Sequence, residues 1–113
     1  MRSIDNIQSE LNDFIERVAV FPLIAQIYLF GSYARGTAGV TSDVDIAIIK
    51  DEAPSPREEN QFRKAIAIAR SDSLIEPFNP KITYVLTSVF ATDEYAFNIS
   101  SSIRREGVLL WQR

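Results

Sequence analysis

The sequence predicts an α/β fold, a small mixed β-sheet flanked by helices, and three observations carry that expectation. Apolar residues near the start recur at helical spacing. Two apolar runs, the second rich in β-branched residues, then bracket a Gly-Ser turn. Beyond them, helical and strand-like patterns alternate to the end of the chain. With 113 residues, the expected organisation is one domain, 1–113, around a single modest core.

Each element has its own justification. Ser3 is a candidate N-cap, and Ile4, Ile7, Leu11, Ile15 and Val18 follow at helical spacing, ending before Pro22. "IAQIYLF" (24–30) reads as a strand, and "GSYARGTAG" as a turn that has room for a short helix. "DVDIAII" (43–49) is the second strand. The prolines and charges of "KDEAPSPREEN" mark a loop. A strong helix follows over "PREENQFRKAIAIARSDSL", acidic at its start and basic near its end, as a helix dipole favours. "KITYVLT" (81–87) is a third strand. A helical pattern over "SVFATDEYAFNISSSIRRE" would turn Phe90, Tyr95, Ile99 and Ile103 inward, and after Gly107 "VLLW" is a short terminal strand or a packed tail.

Composition narrows the chemistry. There is no histidine, so imidazole proton shuttles and His-metal sites are excluded; there is no cysteine, which removes thiol chemistry and disulfides. Catalysis here must run on carboxylates, hydroxyls, Lys and Arg, backbone amides and hard cations. A net charge of −3 argues against broad nucleic-acid binding, though an acidic site accepts a nucleotide that carries Mg²⁺. No stretch approaches the roughly 20 apolar residues of a membrane span. "MRSIDNIQSE" has no apolar signal core, so the expected location is the cytoplasm, with no membrane partner.

The chemistry concentrates in "LFGSYARGTAGVTSDVDIAII". A strand ending in Gly31-Ser32 presents free N–H groups and lets a phosphate approach the main chain. Ser32 adds a hydroxyl, and Arg35 a forked, permanently charged donor within reach of the same phosphates. Asp43 and Asp45, two apart on a strand, face one side about 6.5–7 Å apart along the backbone. At that separation they can hold one or two divalent cations, with phosphate oxygens completing the shell. Val44, Ile46 and Ile48 point the other way, into the core. If the two strands are antiparallel neighbours, Gly31, Ser32, Asp43 and Asp45 line one cleft suited to in-line nucleotidyl transfer. A lone Asp-x-Asp is commonly a solvated strand edge. The joint pattern G-S-x10-D-x-D would arise by chance on the order of once in a thousand such chains.

The stretch resembles the signature of the minimal nucleotidyltransferases, small members of the DNA polymerase beta superfamily. Gly31, Ser32, Ala34, Arg35, Gly36, Ala38, Ser42, Asp43 and Asp45 fall on that pattern, and "SIRREGVLLW" is similar to the family's closing helix-glycine-strand. The resemblance implies a nucleotidyltransferase, polymerase beta-like palm fold. It implies Mg²⁺ as cofactor, a nucleoside triphosphate with ATP foremost, Asp43 and Asp45 as catalytic metal ligands, and Gly31 and Ser32 at the phosphates. Many such proteins are antitoxins paired with a HEPN-type toxin that some of them adenylylate, so a HEPN-type partner is implied by analogy.

The third carboxylate of the family has no evident counterpart here: the matching position in "KITYV" is Thr83, which is neutral and a poor metal ligand. Glu76, Asp93 and Glu94 are the acids near enough in sequence to substitute for it. Tyr33 either stacks on a base or packs, and Lys81, on the same strand face as Thr83, either points into the cleft or lies at its rim. The tail with Trp111 is either core or a surface for a homodimer or partner. Two functions compete: a Mg²⁺-dependent nucleotidyltransferase moving AMP from ATP to a hydroxyl, and a catalytically weakened module that masks a partner protein.

Overall fold

The computed structural model describes residues 2–71, 80–91 and 99–113. A 3-10 turn (Ile4–Ile7) leads into α1 (Gln8–Val18), then β1 (Ile24–Phe30), α2 (Ser32–Arg35), β2 (Asp45–Lys50) and α3 (Pro56–Ser71). The chain continues through β3 (Lys81–Leu86), α4 (Thr87–Phe90), α5 (Ile99–Glu106) and β4 (Val108–Gln112).

The strands form a mixed sheet in the order β3-β2-β1-β4. β1 runs antiparallel to β2 and β4, while β2 and β3 are parallel, the pairing that requires a long crossover, here supplied in part by α3. The expected α/β class and the antiparallel neighbourhood of the first two strands are both present.

Alternation along the strands sends side chains to two faces. Ile27 and Leu29 of β1 and Ile46 and Ile48 of β2 share a core with Leu11, Phe14 and Val18 of α1 and Phe62, Ile66 and Ala69 of α3. The spacing of the α1 trio places all three on one stripe of the helix. Val44 joins this core just before β2, so the apolar partners of the acids anchor the strand as the sequence implied. The opposite face buries Phe30, Ala47, Ile49 and Val85 under Phe90 of α4 and Ile103 of α5. The terminus is the short strand of the two readings, β4, and Trp111 on it packs, partly buried, against the larger core.

At its start the helical region is capped as expected: the Ser3 N–H donates to Asn6 Oδ1 at 2.9 Å, and the pair forms a capping box. The expected single long helix before Gly107 corresponds to α4 and α5; Tyr95 lies between them, outside the described residues, as do Glu76, Asp93 and Glu94. The far end of β2 is held by polar bonds. Buried Lys50 donates to Glu59 Oε2 at 3.2 Å, and Asp51 accepts from Thr87 at 2.8 Å and from Arg113 at 2.6 Å. Among the described residues, no helix is long and apolar enough to cross a membrane.

Candidate functional site

The site begins where β1 ends. Gly31 has φ +75°, in the left-handed region, and turns the chain from Phe30 directly into α2. The first N–H groups of so short a helix have no partner within it. The turn is pinned from behind. Tyr33 is buried, the Arg2 guanidinium lies over its ring at 5.8 Å, and Arg2 and Ala38 exchange backbone hydrogen bonds of 2.7 and 3.2 Å. Of the two readings of Tyr33, packing is the one observed, and a base cannot stack on it. Gly36, also at positive φ, closes α2.

The chain then returns to its acids through a tight turn in which Gly39 N–H donates to Ser42 Oγ at 2.8 Å and Ser42 N–H to the Gly39 carbonyl at 3.1 Å. Ser42 therefore shapes the approach to Asp43. β2 begins at Asp45, two residues later than the sequence pattern indicated, so Asp43 precedes the ladder and is exposed while Asp45 is half-buried. Asp45 sits opposite Phe30 across β1–β2, which brings its carboxylate against the Gly31 backbone. A Cβ built on Gly31 would overlap Asp45 Oδ2 and lie 3.2 Å from its Cγ. Gly31, Ser32 and the two acids thus meet at one end of the β1–β2 pair.

Partial burial pushes the Asp45 carboxyl above its ordinary range. The positive charge of Lys81 draws it down, the Asp43 carboxylate raises it, and Arg35 lowers it again. Two acids and two bases therefore share one electrostatic neighbourhood. Arg35 is held from the side: its Nη1 bonds Glu106 at the end of α5, at 3.2 and 3.3 Å to the two carboxylate oxygens. That partner lies 71 residues away and carries no signal in the sequence.

The parallel register sets Lys81 beside Asp45 and Thr83 beside Ala47. Lys81 and Thr83 share the sheet face of Asp45, since Ile82 and Tyr84 pack on the other side. Asp43 and Asp45 are hard oxygen donors and the residues of this cleft that could hold a divalent cation. Among the described residues, no three acids cluster so as to hold a metal by side chains alone. Two surface hollows of about 470 and 540 Å³ lie at the opposite end of β2, around Glu52, Pro54 and Lys50, and include neither acid.

The fold is that of a nucleotidyltransferase domain. The family model for the nucleotidyltransferase domain matches residues 10–99, and the chain belongs to that family. A Methanocaldococcus jannaschii protein that bears the provisional name of protein adenylyltransferase is 34% identical over 76 residues, covering 66% of this chain and 77% of the relative. Among solved structures, one provisionally named a nucleotidyltransferase, from Sulfolobus solfataricus, superposes with a TM-score of 0.57 at 23% identity, over 97% of this chain and 86% of that one. A toxin–antitoxin structure with AMP-PNP superposes with a TM-score of 0.56 at 22% identity, over 91% of this chain and 73% of that one. Both share the mixed four-stranded sheet with flanking helices.

Proposed function

We propose that the chain is a Mg²⁺-dependent nucleotidyltransferase that moves AMP from ATP to a hydroxyl group on a partner protein. The observation that carries this reading is the seating of the Asp45 carboxylate against the positive-φ Gly31 turn, with Asp43 beside it. Family membership supports it, as does the adenylyltransferase name of the archaeal relative.

In this reading the N–H groups at Ser32 and the Ser32 hydroxyl orient the triphosphate, and Arg35 approaches the same phosphates. Asp43 and Asp45 would hold Mg²⁺, which when bound would offset phosphate charge and polarise the phosphoryl group. The acceptor oxygen bonds to the α-phosphorus, the bond from that phosphorus to the β-bridging oxygen breaks, and pyrophosphate leaves. The hydroxyl proton passes to solvent. The whole chain, 1–113, acts as one nucleotidyltransferase domain.

Thr83 favours a second reading, in which the same site binds nucleotide, catalysis is weak, and the chain neutralises a toxin partner, of HEPN type by family analogy, by covering it. Titration of ATP into the purified protein, with Mg²⁺ and then with EDTA, tests the site itself. Tighter binding with the metal, lost in an Asp43→Asn, Asp45→Asn double variant, supports it; a folded protein that binds no ATP with Mg²⁺ rejects it. The same double variant separates the two functions, since neutralisation by covering survives it and neutralisation by AMP transfer does not.

A further inference from the structure

We propose that Lys81 is a triphosphate-binding residue of this site, supplying from β3 the positive charge that a second divalent cation would otherwise bring. The inference rests on the nucleotide site proposed above and adds a residue that the signature does not contain.

Three observations carry it. The β2–β3 register pairs Lys81 with Asp45, and the Lys81 N–H donates to the Val44 carbonyl at 2.8 Å, which fixes the start of β3 between the two acids in sequence. Strand alternation sends the Lys81 side chain to the same face as Asp45 and Thr83. Lys81 is also uncommitted: it is exposed, and among the described residues its side chain makes no salt bridge or hydrogen bond, whereas Arg35 is tied to Glu106. Its charge is felt at Asp45 ahead of those of Asp43 and Arg35.

Chemistry gives the arrangement its meaning. A third carboxylate on β3 would bring a second cation into the cleft; Thr83 brings none, and no group of three acids replaces it among the described residues. An ammonium on the adjacent same-face position places one positive charge at the triphosphate without metal. Lysine acts there as a point charge on a flexible stem, suited to following the charge that develops on departing pyrophosphate.

The test is calorimetric titration of ATP into the wild-type chain, Lys81→Met and Lys81→Arg, each with Mg²⁺ and with EDTA, alongside circular dichroism. Wild type is expected to retain weak ATP binding in EDTA. Lys81→Met should weaken it by about tenfold or more, as expected for loss of a charged hydrogen bond, and Lys81→Arg should restore it. Counting Mn²⁺ on the complex with a non-hydrolysable ATP analogue should give one ion. Equal affinities of wild type and Lys81→Met, or two bound Mn²⁺ ions, overturn the role of Lys81 and leave the nucleotide site intact. Absence of ATP binding by wild type with Mg²⁺ overturns both.

Discussion

Gly31 and Asp45 occupy one another's space: the carboxylate of the second strand's first residue fills the volume that a side chain at Gly31 would need. The glycine therefore answers to two demands, a backbone at φ +75° and a carboxylate packed on its α-carbon. One demand belongs to the turn and the other to the acid.

Gly31→Ala should accordingly fail on both counts. The strained backbone and the displaced carboxylate together should cost about 1–3 kcal/mol, visible as a melting temperature lower by several degrees. ATP affinity in Mg²⁺ should fall with it, because Asp45 must move. A variant that melts like wild type would show that neither constraint is tight.

Asp45→Asn should do the reverse to stability. A carboxyl whose folded pKa is raised above the unfolded value contributes stability that is fully present below the unfolded pKa. That contribution is lost as pH rises through the folded value. Above that value the ionised Asp45 is a liability, and there the amide should raise stability by up to about 1 kcal/mol while abolishing Mg²⁺-dependent ATP binding. Melting curves across pH should show the gap between variant and wild type opening as pH rises above the ordinary carboxylate range.

The Arg35–Glu106 pair predicts a change in binding more than in stability. Both side chains are partly exposed, so losing the pair should cost less than about 1 kcal/mol. Glu106→Gln releases Arg35 from a competing carboxylate and should raise ATP affinity a few-fold, while Arg35→Met should lower it. Calorimetry on the two variants decides this, and unchanged affinity in both would detach Arg35 from the phosphates.

At the other end of β2, Glu59 matters for folding alone. Burial pushes its carboxyl up, but hydrogen bonds from Lys50 and Arg63 more than reverse this and hold it below its usual range. Its contribution is present above the unfolded pKa and lost as pH falls through the lower folded one. Glu59→Gln leaves Lys50 buried with a weaker partner and should cost about 1–3 kcal/mol at neutral pH, with ATP affinity unchanged. Acid unfolding of the variant should be correspondingly less steep than that of wild type.

Much of this was legible in the chain. β1 has the predicted bounds because its apolar run stops at Gly31, whose positive φ leaves the strand conformation, and α3 is marked by its prolines and paired glutamates. Gly31, Ser32, Asp43 and Asp45 meet as their spacing implied, since a hairpin is a local structure. What sequence could not supply was register and distance. That Lys81 stands beside Asp45 follows from a parallel pairing across α3, and that Glu106 holds Arg35 follows from how α5 returns to the sheet. Tyr33 was ambiguous because an aromatic in a turn reads the same whether it faces solvent or the core; the overlying Arg2 comes from the start of the chain.

The strand order also dictates a history for each molecule. Turn and acids lie on one antiparallel pair joined by residues 31–44, so closing that loop costs less chain entropy than the longer-range pairings of β2 with β3 and of β1 with β4. Lys81 joins only through the crossover that carries α3, and the clasp on Arg35 only once α5 packs on the sheet. The loop that gathers turn and acids is therefore the cheapest long-range closure of the sheet, and the residues that join from β3 and α5 complete a cleft already outlined by one strand pair.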